Sequence, residues 1–242
     1  MPVSRIYQPV PLAVGMLQLE ENASHHLARV LRAAVKDEVI IFNGEGGEYH
    51  GVICQINKKN VVVELNKFVD RDTESTVAIS LAQGIARGEK MDFVIQKAVE
   101  LGASEIFPMI SERCNVRLDQ EREQKRMLHW QAVVISACEQ SGRNRLPVVH
   151  APLSLNDWLE QSHAEMKLVL SPHVTNKLKD VAVKPASIAV LIGPEGGLSE
   201  REIETAIQYN FTALNLGPRI LRTETAAVAA LSVLQFQFGD FN

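Results

Sequence analysis

The chain has 242 residues, a length that suits one large domain or two modest ones. Hydrophobic residues make up 46% of the sequence and charged residues 22%, which excludes a disordered or collagen-like protein. The 25 basic and 29 acidic residues give a net charge of −4, which excludes a generally basic coat for nucleic acid. Any role on nucleic acid must therefore depend on a local basic patch.

The cysteines and the apolar segments bear on where the protein works. Cys54, Cys114 and Cys138 are far apart and odd in number, so we expect no disulfide framework, and a reducing cytoplasm fits best. No apolar segment approaches the roughly 18 residues of a membrane span. Residues 1–5 lack the apolar core of a signal peptide. We expect a cytoplasmic protein without a membrane segment.

Residues 1–70 are predicted to form a small β-barrel with one short helix. The helix spans residues 22–32, where Leu27, Val30 and Leu31 recur at helical spacing and Asn22 or Ser24 is a suitable N-cap. Runs of β-branched and apolar residues, separated by turn residues, predict a meander of strands. These strands are residues 39–42, 49–56 and 61–65.

The segment 44–47, with sequence Gly-Glu-Gly-Gly, follows a strand as a dinucleotide-binding loop would. The next element is another strand, however, so no helix N-terminus is available to bind a phosphate. We therefore interpret this segment as a hairpin turn.

The polar residues 71–75 are predicted to link the barrel to a second domain, residues 76–242. Strands and helices alternate there, which is typical of an α/β layer with a mainly parallel sheet. Asp119 is expected to cap the second helix, and Ser199 and Glu202 to form a capping box in the fourth. The predicted strands are residues 77–82, 106–110, 148–149, 168–170, 188–192 and 214–216. The predicted helices are residues 89–101, 119–141, 155–161, 199–209 and 224–238.

Two loops near the C-terminus are alike. One strand ends at Gly193-Pro194 and the next at Gly217-Pro218. The carboxyl ends of parallel strands are where ligands bind in α/β sheets, and glycines let backbone amides approach a ligand closely. The same dipeptides could also simply terminate two strands. From the residues alone, both interpretations stay open.

Motifs for several other kinds of site are absent from the sequence. It contains no P-loop and no Gly-x-Ser-x-Gly nucleophile elbow. No cluster has the spacing of metal ligands, because the neighbouring His25 and His26 cannot point the same way on a helix. The two loops therefore remain suitable for a neutral or zwitterionic ligand that is held by backbone groups and apolar contacts.

The loops carry the sequences Leu191-Ile192-Gly193-Pro194-Glu195-Gly196-Gly197 and Leu216-Gly217-Pro218-Arg219-Ile220-Leu221-Arg222-Thr223-Glu224-Thr225-Ala226. In this order they closely resemble the ribosomal RNA small-subunit methyltransferases of the SPOUT superfamily, which modify N3 of a uridine. The resemblance covers essentially the whole chain. Further matching segments are residues 5–7, 29–32, 87–91, 111–114 and 138–145.

The resemblance implies a fold and a set of partners. The fold is α/β, with a PUA-like RNA-binding β-barrel followed by a SPOUT methyltransferase domain that contains a C-terminal trefoil knot, a rare exception to the topology rules. The implied methyl donor is S-adenosylmethionine. The implied partners are 16S ribosomal RNA in the small ribosomal subunit and a second copy of the chain, with no metal and no membrane.

The resemblance also places the donor site. Backbone amides of the glycine-rich loops would hold the adenine edge and the amino-acid moiety, and Leu216 and Leu221 would pack on the ring. The implied donor-binding residues are Leu170, Ser171, Ile192, Gly193, Glu195, Gly197, Leu216, Gly217 and Leu221.

Uracil N3 must lose its proton before it can attack a methyl group, and a nearby cation would stabilise the resulting anion. Arg222 is our first choice for that cation, and Glu224 for the base that accepts the proton. Glu224 could equally serve the dipole of its helix. Alternative routes for the proton are Glu89, Glu139, Glu195 or solvent.

Arginines are expected to contact RNA phosphates. Charges within residues 117–126 are interpreted as a solvated helix face because carboxylates are interleaved there. No carboxylate follows Glu139 closely in sequence, which favours Arg143 and Arg145 as RNA contacts. The expected RNA-binding residues are Arg5, Arg29, Arg32, Arg87, Lys90, Arg113, Arg143 and Arg145.

Two further features allow two interpretations each. Cys138 could be the nucleophile of carbon-5 methylation, but it shares the apolar helix face of Val134, which favours a core thiol.

The alanine-rich face of residues 226–230 suits either packing within the chain or a subunit interface. The resemblance favours the interface, with apolar area from Leu231, Leu234 and Phe238.

Three functional hypotheses follow. The first is methylation of uridine N3 in 16S ribosomal RNA on the assembled small subunit. The second is a ribose 2′-O-methyltransferase of the same superfamily, which the segment 222–225 argues against because it is not rich in Asn and Ser. The third is an RNA-binding protein without activity, which the intact glycines of both loops argue against.

Overall fold

The computed structural model describes residues 3–57, 60–114, 119–176, 178 and 184–241. The chain divides into two compact units. The first unit contains Met1–Glu74 and Cys138–Leu146, and the second contains Ser75–Ala137 and Pro147–Asn242. Cys138–Leu146 was expected in the second domain, whereas it groups with the first unit.

The first unit is built on a five-stranded sheet of order β1-β3-β4-β5-β2. The β1–β3 pair is parallel, and the other pairs are antiparallel. The expected meander is confirmed as β3, β4 and β5, and the glycine-rich turn joins β3 to β4. The four-residue β1 and β2 were not predicted, because such short strands carry little periodicity. The strands are β1 Ser4–Tyr7, β2 Gly15–Gln18, β3 Glu38–Phe42, β4 Glu48–Ile56 and β5 Val61–Val69.

Residues 22–32 were predicted to form one α-helix, but only the first part of this segment is α-helical. The chain forms α1, Glu21–His25, and then a π-helical turn, His26–Val30, in which the Leu31 amide donates to the His26 carbonyl at 3.0 Å. The π-turn breaks the 3.6-residue period, so Leu27 is buried while Val30 and Leu31 are exposed.

The expected N-caps are also wrong, because Glu20 occupies the N-cap position and its side chain makes no capping bond. Ser24 is buried instead. Its hydroxyl donates to the Leu19 carbonyl at 3.2 Å and accepts from the Val61 amide at 3.0 Å. Ser24 therefore links α1 to the first residue of strand β5 by a hydrogen bond.

The second unit contains a sheet of order β12-β10-β11-β6-β7-β8, with β9 also pairing with β7. Every pair in this sheet is parallel, as the alternation of strands and helices predicts. Its strands are β6 Ala78–Gly84, β7 Ala103–Ile110, β8 Val148–Val149, β9 Leu153–Ser154, β10 Met166–Leu170, β11 Ser187–Ile192 and β12 Thr212–Leu214. The helices are α2 Glu89–Glu100, α3 Gln120–Ser141, α4 Leu155–Gln161, α5 Glu200–Gln208 and α6 Thr223–Phe238. The last four residues of α3, 138–141, belong to the first unit.

Two predicted caps are confirmed. The Asp119 carboxylate accepts from the Arg122 amide at 2.9 Å, just before α3. Ser199 and Glu202 form the capping box of α5. One strand lies earlier than predicted, because β12 ends at Leu214 and Asn215 already belongs to the following loop. Within the described residues, no helix is long and apolar enough to cross a membrane.

Candidate functional site

Three adjacent parallel strands, β12, β10 and β11, end at one edge of the second sheet. The segments that follow them surround a cavity of about 400 Å³. The cavity brings together eight of the nine predicted donor-binding residues, and Gly217 is the one that does not line it. The lining includes Leu170, Ser171, Ile192, Gly193, Glu195, Gly197, Leu216 and Leu221. The cavity is also lined by residues that were not predicted from the sequence, including Pro172, His173, Leu198 and Ile203.

The loop after β11 is folded tightly on itself. A Cβ atom at Gly193 would lie 2.7 Å from the Leu198 amide nitrogen and 2.8 Å from the Gly197 carbonyl carbon. The Gly197 amide donates to the Pro194 carbonyl at 2.8 Å, which closes the turn. Glycine at position 193 is therefore a requirement of close approach between two parts of the backbone.

The loop after β12 is organised by Asn215. Its Nδ2 donates to the carbonyls of Pro172 and Val174, both at 3.1 Å, and its Oδ1 accepts from the Gly217 amide at 2.7 Å. Gly217 has a φ of +127°, a conformation that residues with a side chain rarely adopt. Asn215 thus ties the loops after β10 and β12 together. An Asn two residues before a Gly was the available sequence signal for this turn.

Thr223, the first residue of α6, connects the two loops. Its hydroxyl donates to the Gly193 carbonyl at 2.6 Å and accepts from Nε2 of Gln83 at 2.8 Å. Gln83 is fully buried at the end of β6 and also donates to the Gly84 carbonyl at 2.9 Å. Sequence reasoning missed both side chains, since nothing local marks a Thr–Gln contact across 140 positions.

Charged groups lie at the rim beside Glu195. Its carboxylate accepts from the Arg87 amide at 3.0 Å and lies 3.4 Å from the Lys90 ammonium nitrogen. Burial alone would raise the pKa of Glu195, but the hydrogen bond from Arg87 and the Lys90 charge lower it below its ordinary value overall. Arg113 donates to the Gly196 carbonyl at 3.1 Å. Three predicted RNA contacts thus hold the first loop.

The two predicted catalytic residues both line the cavity. Arg222 is exposed at the N-cap position of α6. Glu224 lies in the first turn of that helix, and its Oε2 atom is buried without a hydrogen-bond partner among the described residues. Of the alternative bases, Glu195 is ion-paired as described above, and Glu89 lies outside this cavity.

The remaining alternative base, Glu139, lies in the first unit. Its carboxylate accepts from the Tyr7 amide at 3.0 Å, and burial raises its pKa. Cys138, beside it, is fully buried, and burial raises the pKa of its thiol to about 12. A thiol that stays protonated is a poor nucleophile, which confirms the interpretation of Cys138 as a core residue.

The arginines predicted to bind RNA in the first unit fall into two groups. Arg5 and Arg143 point inward, with side chains only 10% and 4% exposed. Arg5 contacts the Glu48 carboxylate at 2.5 Å, and Arg143 donates to both carboxylate oxygens of Glu74. Arg143 was predicted to contact RNA because no carboxylate follows it closely in sequence, and Arg5 was predicted as one of the basic residues of the barrel, but the fold supplies a carboxylate to each.

The other arginines of the first unit remain at the surface. Arg145 is half-exposed and donates to the Glu45 carbonyl at 2.9 Å. Arg29 and Arg32 are exposed at and just after the π-helical turn, and Arg32 has a φ of +54°. Exposed guanidinium groups on a turn with an unusual backbone suit contact with an anionic partner.

Family models match most of the chain. A model of the RNA methyltransferase domain matches residues 73–235, and a model of the RNA methyltransferase PUA domain matches residues 19–66. A protein from Buchnera aphidicola named Ribosomal RNA small subunit methyltransferase E is 39% identical over 242 residues, covering 99% of this chain and 98% of its own. The protein of the same name from Bacillus subtilis is 31% identical over 222 residues, covering 88% and 87%.

Two solved structures are similar over the full length. One is a protein from Legionella pneumophila assigned as a methyltransferase, in complex with the bound cofactor SAM. Its TM-score is 0.97 at 41% identity, with 100% of both chains covered. The other is a Ribosomal RNA small subunit methyltransferase E from Neisseria gonorrhoeae bound to S-adenosyl methionine. Its TM-score is 0.93 at 39% identity, with 99% of this chain and 100% of that chain covered.

Proposed function

The chain belongs to the ribosomal RNA small subunit methyltransferase E family, and we propose that it transfers a methyl group from S-adenosylmethionine to N3 of a uridine in 16S ribosomal RNA. The observation that carries this proposal is the cavity at the joined ends of β10, β11 and β12, which matches in place and composition the donor site expected from the two loops. The substrate of this enzyme is the small ribosomal subunit, and methylation takes place in the cytoplasm.

The residues of the cavity fit S-adenosylmethionine. A volume of about 400 Å³ is in the range of small-molecule sites. Ile192, Leu214, Leu216 and Leu221 offer apolar surface for an adenine ring. The two loops bring backbone groups close to the cavity, and Asn215 and Thr223 fix those loops, so the groups are held in place before a ligand arrives.

For methyl transfer the protein has to position the two reactants and to stabilise the negative charge on the uracil. When bound, S-adenosylmethionine supplies a methyl group, and transfer to N3 breaks the S–CH₃ bond and leaves a neutral thioether. Glu224 accepts the N3 proton and later releases it to water. Arg222, exposed at the mouth of the cavity, stabilises the negative charge on the uracil oxygens. Glu224→Gln should therefore lower the single-turnover rate of methyl transfer.

RNA is held by exposed cations rather than by the net charge of the chain, which is −4. Arg29 and Arg32 on the first unit, and Arg113 beside the donor cavity, are the cations that we assign to phosphates. Arg113 already donates to the Gly196 carbonyl in the first donor loop, so a phosphate bound at Arg113 would also affect the donor site.

The proposal includes three features that the family resemblance implies. These are closure of the first sheet into a PUA-like barrel, a trefoil knot in the second unit, and a homodimer. Leu231, Leu234 and Phe238, which were expected to add apolar area to the interface, are instead buried within the chain. The apolar side chains of α6 that remain available to a second copy include Val233 and Phe236, which are 40% and 64% exposed.

The test is a methyl-transfer assay on small ribosomal subunits that lack the modification, with mass mapping of the product nucleoside. We expect 3-methyluridine in 16S ribosomal RNA. A 2′-O-methylated nucleoside would instead support the ribose methyltransferase, and binding of subunits without any methyl transfer would support a protein that only binds RNA.

A further inference from the structure

A second, open groove of about 720 Å³ lies in the second unit between α2 and α3. Two residues, Lys90 and Glu224, line both this groove and the donor cavity. The two spaces therefore share one ammonium group and one carboxylate in their walls, and we call the position of these two groups the junction. The groove is lined by Glu89, Lys90, Asp92, Phe93, Gln96, His129, Ala132, Val133, Ser136 and Glu224.

The carboxylate at this junction lacks a partner. Glu224 Oε2 is buried, and among the described residues nothing donates a hydrogen bond to it. Leaving a buried acceptor unsatisfied is unfavourable, and more so for a charged group. A ligand that offers an N–H group at the junction would remove this cost.

The walls of the groove suit a flat, neutral ring. Phe93 is 43% exposed and offers an aromatic surface, while Ala132 and Val133 lie on α3. Gln96 and Ser136 can donate and accept hydrogen bonds at the edges of a base. Among the lining groups, three carboxylates outnumber the single lysine, and His129 lies 2.7 Å from Asp92. This charge disfavours a phosphate and is compatible with a base.

We propose that the groove between α2 and α3 receives the uracil ring that is methylated, so that N3 reaches the junction of Lys90 and Glu224. This proposal rests on the proposed function and deepens it by assigning the acceptor site. A base reaches such a groove only when it is turned out of its stack. At the junction the N3 proton passes to Glu224, the N3–CH₃ bond forms as the S–CH₃ bond breaks, and the Lys90 ammonium stabilises a carbonyl oxygen of the ring.

The first test fills the groove. Ala132 is exposed on α3, so Ala132→Trp should place an indole in the groove without disturbing the core. Gln124→Trp is the matched control, because Gln124 is exposed on the same helix and is not among the groove residues. We expect Ala132→Trp to raise the KM for unmethylated small subunits at least tenfold and to weaken their cosedimentation with the enzyme. Its calorimetric Kd for S-adenosylmethionine should be unchanged, and Gln124→Trp should match the wild type throughout.

The second test removes the aromatic surface. Phe93→Ala should raise the KM for subunits several-fold, and Phe93→Tyr should restore it, because a base stacks favourably on an aromatic ring. An unchanged KM for both Ala132→Trp and Phe93→Ala would overturn the assignment.

Two other results would also overturn it. Sedimentation showing that Ala132→Trp converts a wild-type dimer to a monomer would identify the groove as a surface for a second copy of the chain. Loss of S-adenosylmethionine binding in the same variant would place the defect in the donor cavity. If the wild type itself methylates no ribosomal RNA, the proposed function fails, and the acceptor site falls with it.

Discussion

The edge of the second sheet and the two inward arginines of the first unit, Arg5 and Arg143, use polar groups in opposite ways. At the sheet edge, Asn215 and Thr223 bond to backbone groups and hold two loops around an open cavity. In the first unit, Arg5 and Arg143 bond to buried or half-buried carboxylates and fill the interior. The comparison teaches that a concentration of charged residues does not itself make a binding surface. What matters is whether the fold has already satisfied their hydrogen bonds.

The largest expected effect concerns a cation that the fold leaves exposed. Arg222→Ala should lower the single-turnover rate of methyl transfer by about a hundredfold, as expected for loss of one well-placed charge that stabilises an anion. Arg201→Ala, an exposed arginine on α5, is the control and should keep the wild-type rate. A normal rate for Arg222→Ala would move the charge-stabilising role to Lys90 or Arg87.

The ion pair of the inward Arg5 with Glu48 should make the free energy of unfolding depend on pH in the acid range. Burial by itself would raise the pKa of Glu48, but Arg5, His50 and Arg71 lower it from 4.5 to about 2. The lowered pKa stabilises the folded state fully above pH 4.5, and this contribution is lost as the pH falls from about 4.5 to about 2. It amounts to at most about 3 kcal/mol.

Glu48→Gln should therefore lower the free energy of unfolding at pH 7, measured in urea, and the gap from the wild type should narrow toward pH 3. Glu64→Gln, which alters an exposed carboxylate on β5, should change stability little at either pH. A gap that is constant with pH would show that the Arg5–Glu48 pair does not provide this stabilisation.

A smaller effect is expected where a hydroxyl connects the two donor loops. Thr223→Val keeps the shape of the side chain but removes the hydrogen bond to the Gly193 carbonyl and the one from Gln83. An unmade hydrogen bond of this kind costs about 1–3 kcal/mol, so the Kd for S-adenosylmethionine should rise about tenfold. Thr223→Ser retains the hydroxyl and should rescue binding. Equal affinity in all three proteins would mean that the bridge does not position the loops.

The smallest expected effects are changes in the binding of small subunits and in its salt dependence, which should differ between the exposed and the inward arginines. Arg29→Ala and Arg32→Ala should each weaken binding of small subunits and reduce the salt slope of log K by about one, if each contacts one phosphate. Arg143→Ala should lower the stability of the first unit and leave that slope unchanged, because its guanidinium is bonded to Glu74. The opposite pattern would reverse the assignment of the two groups.

The sequence was informative where the structure depends on neighbours in the chain. The parallel sheet, the capping box at Ser199 and the alignment of the two loops all follow from local periodicity and strand ends. The contacts that decide the function of individual side chains join distant segments instead. Glu74 lies 69 positions from Arg143, and Gln83 lies 140 positions from Thr223, so no local charge count or spacing could reveal either pair.

The most direct measurement is a calorimetric titration of S-adenosylmethionine into Gly217→Val, with Gly15→Val as its control. Both glycines have a φ of +127° and open space where a side chain would go, so the two substitutions impose similar backbone strain. Only Gly217 belongs to a donor loop, since Gly15 begins β2 in the first unit. We predict that Gly217→Val loses binding while Gly15→Val keeps the wild-type affinity. Undiminished binding by Gly217→Val would contradict a donor site built from the backbone of these loops.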